Sequence, residues 1–317
     1  MITKLNNNIS VPLGVVIVSY KTTAKTIQFI KNELTKIKTL KKIVVVNNSF
    51  SAQDEHEFAV SLDACIISVN KTIDKEKNVF ILNSEENLGF AKGNNLGAEF
   101  LISNFHPQYL LFSNNDIEIL SEDVVEKLIA KIETNPQIGI IGPKMIDQNG
   151  ASISPRYDRV GPLRYSLWHI FFPIRQSQIL SKFNWLSPGI QEFKKRKNEQ
   201  EGYCYWVVGS FMLLNTDIFI RIEGFDAGTF LYSEEKILTE KLHATGYKMY
   251  FYPSVSVLSI GEYTTSKYLQ NIEKKKLIFD SDLYYYKKYF KINILLLGML
   301  YLARFLYLSI YCRFYKK

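Results

Sequence analysis

The sequence predicts an α/β fold, a Rossmann-like mixed sheet flanked by helices, and three observations carry that reading. Short apolar or β-branched runs such as Val15–Val18, Ile43–Val46 and Leu110–Phe112 stop abruptly at polar residues, the pattern of strands buried in a parallel sheet. Between the first two runs, Ile27, Ile30, Leu34 and Ile37 recur at helical spacing, so strand and helix alternate. The polar residues gather just after the runs, and in open α/β sheets ligands occupy the crevice beyond the carboxyl ends of the strands.

Composition narrows the class. The chain has 317 residues, 47% hydrophobic and 22% charged, which is globular and long enough for one large or two modest domains. A net charge of +8 suits an anionic membrane surface or phosphorylated ligands. No nucleic-acid-binding signature accompanies it, so no nucleic-acid partner is expected. Cys65, Cys204 and Cys312 are widely spaced and form no metal-like pairing, which suits a reducing compartment. The opening MITKLNNNISVPLG lacks the apolar core of a signal peptide, and a cytoplasmic start is expected.

In chain order, Val15–Tyr20 reads as the first buried strand, Thr22–Leu40 as a helix, and Ile43–Val46 as a second strand ending in Asn47-Asn48-Ser49. Ile66–Val69 and Val79–Leu82 are weaker strand candidates, and Asn87–Asn95 leads into a helix over Leu96–Ser103. Tyr109–Phe112 is a buried strand that ends in Ser113-Asn114-Asn115-Asp116. Asp116 thereby stands where a divalent cation would meet a nucleotide diphosphate, although the same residues also make an ordinary turn. Neither G-x-G-x-x-G after the first strand nor a G-K-[ST] loop is present, which disfavours dinucleotide oxidoreductases and P-loop enzymes. Phosphates must then be held otherwise, and a cation on Asp116 is the obvious candidate, since Mg²⁺ commonly takes one or two carboxylates and completes its shell from the substrate.

The second half continues with a helix over Glu126–Thr134, a strand over Ile138–Lys144 and a hairpin-type turn at Asp147–Gly150. Residues 156–205 are basic and aromatic, and read either as a solvated loop or as a lid or membrane-facing flap inserted over the site. Trp206–Leu214 resumes the sheet, with Gly209-Ser210 small enough for a ligand to approach the backbone. Glu234 and Glu235 precede a helical pattern of Ile237, Leu238 and Leu242. Acids there suit a helix N-terminus, and one of them also suits a general base. Ile292–Tyr311 is apolar and aromatic for long enough to span a bilayer, interrupted by Arg304 and flanked on both sides by basic residues. A helix lying in or dipping into the inner leaflet is the preferred reading, ahead of a spanning helix and a packed helix pair or oligomer contact.

The series VVIVSY, VVVNNS, ENLGFAKGNN, LLFSNND and GFDAGTFLYSEEKILTEKLHATGY resembles glycosyltransferase family 2, the inverting enzymes of GT-A fold, and within it the rhamnosyltransferase-like branch of bacterial surface-polysaccharide synthesis. The resemblance implies that Ser19, Tyr20 and Asn47 flank the nucleotide base. It places Asn87, Gly89, Phe90, Gly93 and Asn94 beneath base and ribose, and Asn114-Asn115-Asp116 at the Asp-x-Asp metal motif. Asp116 would be the metal ligand, for Mg²⁺ or Mn²⁺. Glu235 falls where the family has its catalytic Asp, Glu234 on the acid before it, and Lys241 where an Arg usually contacts phosphate. Asn114 replaces a carboxylate, Asn47 replaces a frequent Asp, and Ser259 stands where a metal-binding His is common.

The implied activity is inverting transfer of a sugar from a nucleoside-diphosphate donor, a dTDP- or UDP-sugar, to a saccharide or lipid-linked saccharide acceptor. A nucleotide-sugar-binding or scaffold protein that has lost catalysis is the alternative. The expected division is a GT-A domain over 1–253 and a C-terminal helical, membrane-associating region over 254–317. The expected place is the cytoplasmic face of the cell membrane.

Overall fold

The computed structural model describes residues 11–67, 72–121, 123–171, 200–261 and 271–314. Their elements, in chain order, are β1 (Leu13–Ser19), α1 (Thr23–Asn32), β2 (Lys41–Asn47), α2 (Ala52–Leu62), β3 (Cys65–Ile67), β4 (Val79–Asn83), α3 (Gly89–Phe105), β5 (Tyr109–Ser113), β6 (Ile117–Ile119), α4 (Val124–Thr134), β7 (Ile138–Ile146), α5 (Pro162–Ile170), β8 (Gly202–Cys204), β9 (Phe211–Asn215), α6 (Thr216–Arg221), α7 (Glu234–Ala244), β10 (Lys248–Ser259), α8 (Asn271–Tyr289) and α9 (Ile294–Phe314).

The strands form one ten-stranded mixed sheet in the order β3-β4-β2-β1-β5-β9-β7-β10-β6, with β8 paired to β10. From β3 to β5 every pairing is parallel, so β1, β2, β4 and β5 end on the same edge. The chain leaves β1 toward β2 on one side and returns to β5 on the other. That reversal opens a crevice between the ends of β1 and β5. β9 then runs antiparallel between β5 and β7. One face of the sheet is closed by α1 and α4 over Ile17, Val45, Leu111 and Leu213, the other by α3, α6 and α7 over Val16, Val44, Phe112 and Leu214.

The described residues group into two compact units. The first holds the sheet: everything up to Tyr157, then Glu201–Phe230, then the chain from Glu234 through β10. The second holds Leu231–Ser233, α5, α8 and α9. It has its own core of Phe279, Tyr307 and Leu308, against which Tyr165, Ile272 and Tyr311 pack. The stretch from Asp158 to Ile170, read above as part of an insertion in the catalytic domain, thus groups with the C-terminal helices; residues 172–199 lie outside those described.

Several element boundaries differ from the sequence reading, three of them for a clear local reason. The helix read over Thr22–Leu40 stops at Asn32 and tightens into a 3-10 turn over Leu34–Lys36, and Ile37 is extended. Leu34 and Ile37 still face the core, so the apolar spacing outlasts the helix. The helix read from Leu96 begins instead at Gly89, just after a turn in which Asn87 Oδ1 accepts the Gly89 N–H at 3.0 Å. The strand read from Trp206 starts at Phe211, as Gly209-Ser210 forms a turn before it. β10 runs through Pro253 to Ser259. Its register with β7 shifts between Tyr252 and Ser256, an irregularity that accommodates a proline with no N–H to donate.

Candidate active site

The crevice between β1 and β5 is built on a buried hydroxyl–amide cluster. Ser19 at the end of β1 is fully buried and accepts from Thr26 Oγ1 at 2.9 Å. Asn115 Nδ2 donates to Thr22 Oγ1 at 2.8 Å and Thr26 Oγ1 at 2.7 Å. Asn115 and Ser19 therefore act on the protein itself: they fix the turn after β5 onto the first turn of α1. With that turn fixed, Asp116 is held inward. Its Oδ1 is buried and has no hydrogen-bond partner among the described residues. Burial pushes its carboxyl above the ordinary carboxylate range, against the opposing pull of Lys25 and the Asn114 side chain.

A buried carboxylate oxygen without a donor is costly unless something else meets it. No group of three His, Cys, Asp or Glu side chains surrounds it among the described residues. The donor set thus fits a hard cation that takes a single protein carboxylate and completes its shell from substrate oxygens and water. Ser259 pairs in register with Ile117, and the Ile260 N–H donates to the Asp116 carbonyl at 2.9 Å. The end of β10, where the family resemblance looks for a histidine, therefore lies against the Asp116 turn.

A short chain of contacts leads from Asp116 to the second acid. The Asn114 N–H donates to the Ser210 carbonyl at 2.9 Å, and the neighbouring Gly209 N–H donates to Glu235 Oε1 at 3.0 Å. A Cβ on Gly209 would lie 3.0 Å from that same oxygen. The group approaching the Gly209-Ser210 backbone is thus the Glu235 carboxylate, where the sequence suggested a ligand. Glu235 is half-buried on the first turn of α7, whereas Glu234 beside it is buried. Both sit at the positive end of the helix macrodipole.

The ends of β2 and β4 and the start of α3 form the remaining wall. Asn47, fully buried, donates from Nδ2 to Asn83 Oδ1 at 3.0 Å, and Asn83 Nδ2 donates to Glu55 Oε2 at 2.5 Å. Asn48 Nδ2 reaches the Gly89 carbonyl at 3.2 Å. The Oδ1 atoms of Asn47 and Asn48 are both buried without a partner among the described residues. Tyr20 and Lys21 follow Ser19, and the Lys21 N–H donates to Ser49 Oγ at 2.7 Å.

In α3, Gly93 packs against Val18, where a Cβ would stand 3.0 Å from its methyl group, and Asn94 Nδ2 caps the Phe90 carbonyl at 2.9 Å. Gly89 has φ +72, and a Cβ there would come 2.3 Å from the Phe230 carbonyl oxygen, which accepts from the Phe90 N–H at 2.9 Å. Lys241 Nζ donates to the Gly224 and Glu223 carbonyls at 2.6 and 3.2 Å, so it braces the loop before α7.

Three residues that the sequence did not single out join these parts. Asn95 donates from Nδ2 to the Phe225 carbonyl at 2.8 Å and accepts the Phe225 N–H on Oδ1 at 2.9 Å. It thereby ties the α3 motif to the Gly224-Phe225-Asp226 loop across 130 residues. Asn48 and Thr26 are the others. An Asn beside another Asn, or a Thr inside a helix, carries no signal until the fold shows what it faces.

This sheet, with its crevice at the β1/β5 reversal and the inward carboxylate of Asp116 beside it, has the GT-A fold. The chain belongs to Glycosyl transferase family 2, whose model matches residues 15–219. It is 23% identical over 223 residues to the low-salt glycan biosynthesis hexosyltransferase Agl10 of Haloferax volcanii, covering 70% of this chain and 59% of that protein. It is 25% identical over 171 residues to the rhamnosyltransferase WbbL of Escherichia coli K12, covering 52% of this chain and 58% of that one. The chain thus spans under two thirds of the length of either relative. Among solved structures, the mannosyltransferase PcManGT of Pyrobaculum calidifontis in complex with GDP-Man and Mn²⁺ superposes with a TM-score of 0.53 at 10% identity, covering 95% of this chain and 70% of that one. At that identity the likeness concerns the fold alone.

Proposed function

We propose that the chain is an inverting glycosyltransferase of glycan biosynthesis, moving a sugar from a nucleoside diphosphate to a hydroxyl of a saccharide acceptor. The contact chain Asp116–Asn114–Ser210–Gly209–Glu235 supports this reading most directly, because it ties a buried carboxylate, one of whose oxygens has no donor among the described residues, to a second, half-buried carboxylate. Those are the two charges that displacement at an anomeric carbon needs. A divalent cation, Mg²⁺ or Mn²⁺, bound through Asp116 would neutralise charge on the departing diphosphate.

Glu235 is the general base: its Oε1 is oriented by the Gly209 N–H, and its carboxylate takes the proton of the acceptor hydroxyl as that oxygen attacks. The buried Glu234 serves as a supporting acid of the same turn. Ser19, Tyr20, Asn47, Asn114 and Asn115 shape the donor crevice, and Asn87, Gly89, Phe90, Gly93 and Asn94 form its floor. Lys241 holds the loop that carries the base.

The donor we favour is a dTDP- or UDP-sugar and the acceptor a lipid-linked saccharide in capsule, O-antigen or exopolysaccharide assembly. Rhamnosyl or hexosyl transfer is consistent with the two relatives named above. The work would be done at the cytoplasmic face of the membrane. α9 supports that placement: its segment Ile294–Tyr311 is long and apolar enough to cross a bilayer. Leu300, Ala303 and Tyr307 are buried, while Ile294, Leu295, Tyr301, Leu302 and Phe305 form one exposed apolar face. A helix packed on one side and bare on the other suits lying in the interface.

The test is a thermal-shift panel of UDP, dTDP, GDP and CMP with Mn²⁺ or with EDTA, joined to donor turnover. One nucleotide should raise the melting temperature only with metal. Glu235→Gln should keep that shift and lose turnover by about 10²–10⁴-fold, the usual share of a general base. Nucleotide binding with no turnover of any donor in the wild type would instead favour the scaffold reading.

A further inference from the structure

Residues 205–210, the stretch that leads into β9, meet α7 at three points. At one end the Gly209 N–H donates to Glu235 Oε1 at 3.0 Å. At the other, the Tyr205 carbonyl accepts from Thr239 Oγ1 at 2.6 Å, and the Tyr205 phenol donates to Glu240 Oε1 at 2.6 Å. Thr239 Oγ1 also stands 2.9 Å from the Glu235 carbonyl one turn earlier. Its single proton therefore lies between the stretch and the residue that carries the proposed base. Tyr205 and Thr239 are both buried. On the side away from α7, the Tyr205 N–H donates to the Arg156 carbonyl at 2.8 Å, and the Arg156 N–H donates to the Trp206 carbonyl at 2.9 Å. Past Gly209, the Ser210 carbonyl accepts the Asn114 N–H at 2.9 Å, two residues before Asp116. One short stretch thus touches both the helix of the base and the turn of the buried carboxylate. Every residue in this set belongs to the unit that holds the sheet.

We propose that Thr239 and Tyr205 are positioning residues for glycosyl transfer: they lock residues 205–210 in register along α7, so that Gly209 meets the Glu235 carboxylate and the two charged sites keep their spacing. The inference rests on the assignment of Glu235 as base. The physical reason is that a glutamate side chain is flexible, and a single N–H orients it only where that N–H is itself held in place. The hold on Gly209 comes from four residues earlier, where Thr239 and Glu240 grip Tyr205. Contact at the far end leaves no slack, because a Cβ on Gly209 would already stand 3.0 Å from Glu235 Oε1. Without the Thr239 hydroxyl the stretch loses an anchor and slides along the helix, and Gly209 slides with it. Ser210 carries the Asn114 backbone along, so the same slide alters the separation of the Asp116 turn from the base. An ångström-scale misplacement of a catalytic group costs on the order of 10²-fold in rate.

The experiment compares wild type, Thr239→Val, Thr239→Ser and Tyr205→Phe on the full chain by two readouts. Thr239→Val keeps the shape and loses the donor, Thr239→Ser keeps the donor, and Tyr205→Phe loses only the phenolic oxygen. Hydrogen exchange of the amides over 205–210 should rise about tenfold or more in Thr239→Val and stay near wild type in Thr239→Ser. Nucleoside-diphosphate release from UDP-glucose, dTDP-rhamnose and GDP-mannose should fall on the order of 100-fold in kcat in Thr239→Val and about tenfold in Tyr205→Phe. The donor KM should stay within about twofold, and Thr239→Ser should restore most of kcat. Gly209→Ala, which presses on Glu235 directly, should also lower kcat, and Thr239→Val added to it should cost far less than in wild type, because both displace one carboxylate. Tyr205→Phe takes the place of Thr239→Val in both readouts if the latter does not fold. Unchanged exchange overturns the register lock. Raised exchange with kcat intact, loss confined to KM, no rescue by Thr239→Ser, or full additivity with Gly209→Ala overturns the positioning role. A wild type that turns over none of the donors counts against the transferase reading, and exchange alone then decides the lock.

Discussion

At the residue scale, Asp116 carries the clearest consequences. Its carboxyl is pushed upward mainly by burial and its Oδ1 meets no donor among the described residues, so its charge destabilises the metal-free fold. The folded-state pKa lies above the unfolded one. The contribution of Asp116 to folding stability is therefore most favourable below the ordinary carboxylate value and is lost as pH rises from there through the raised folded value. Metal affinity runs the other way and weakens as pH falls through that raised value, because the ligand must be deprotonated. Asp116→Asn should raise the melting temperature of the metal-free protein at pH 7 by about 2 °C, corresponding to roughly 1 kcal/mol. It should also abolish the Mn²⁺-dependent nucleotide shift. Differential scanning fluorimetry with and without EDTA checks both, and a lower metal-free melting temperature would contradict the account. Asp116 was legible from the sequence as the polar end of a buried strand. Its missing donor was not, because that depends on which groups the neighbouring strands leave within reach.

At the scale of elements, α3 joins the donor wall to the loop that carries the base. Its N-terminal glycine is required twice over: by φ +72 and by the Phe230 carbonyl, which a Cβ would overlap at 2.3 Å. Gly89→Ala should destabilise by about 1–3 kcal/mol in urea melts, through left-handed strain and overpacking, and should weaken turnover. Asn95→Ala removes both partners of the buried Phe225 backbone. It should cost about 1–3 kcal/mol as well, whereas Asn104→Ala on the same helix, whose amide only caps the Phe100 carbonyl, should cost less. If the two asparagines cost the same, the tie between the motifs is not what holds this loop. The motif ENLGFAKGNN was readable as a unit, but its division of labour was not. Gly93 and Asn94 face inward packing and Asn95 crosses to Phe225, a distinction set by helical phase over a helix that starts at Gly89.

At the scale of the whole molecule, the proposed membrane association belongs to α9. Its outward face exposes Ile294 at 78%, Leu295 at 75% and Phe305 at 67%, an apolar stripe that water does not favour. The full chain should float with vesicles containing anionic lipid, and Leu295→Glu with Phe305→Glu should release it while leaving the nucleotide-dependent melting shift intact. Retention of the double variant on vesicles would assign the stripe to another role. By itself the sequence determined the strand–helix alternation, the strand-end polar residues, the paired acids that open α7 and the long apolar terminal segment. Each of these is written in local periodicity and chain neighbours, which side-chain burial and backbone propensity impose wherever the chain goes. Only the tertiary structure decided that Gly209 receives Glu235, that Asn115 serves Thr22 and Thr26, and that Asn95 holds Phe225. Those partners lie tens of residues apart. Their pairing is set by strand order and helix phase, through short-range polar contacts whose geometry exists only once the sheet has brought the segments together.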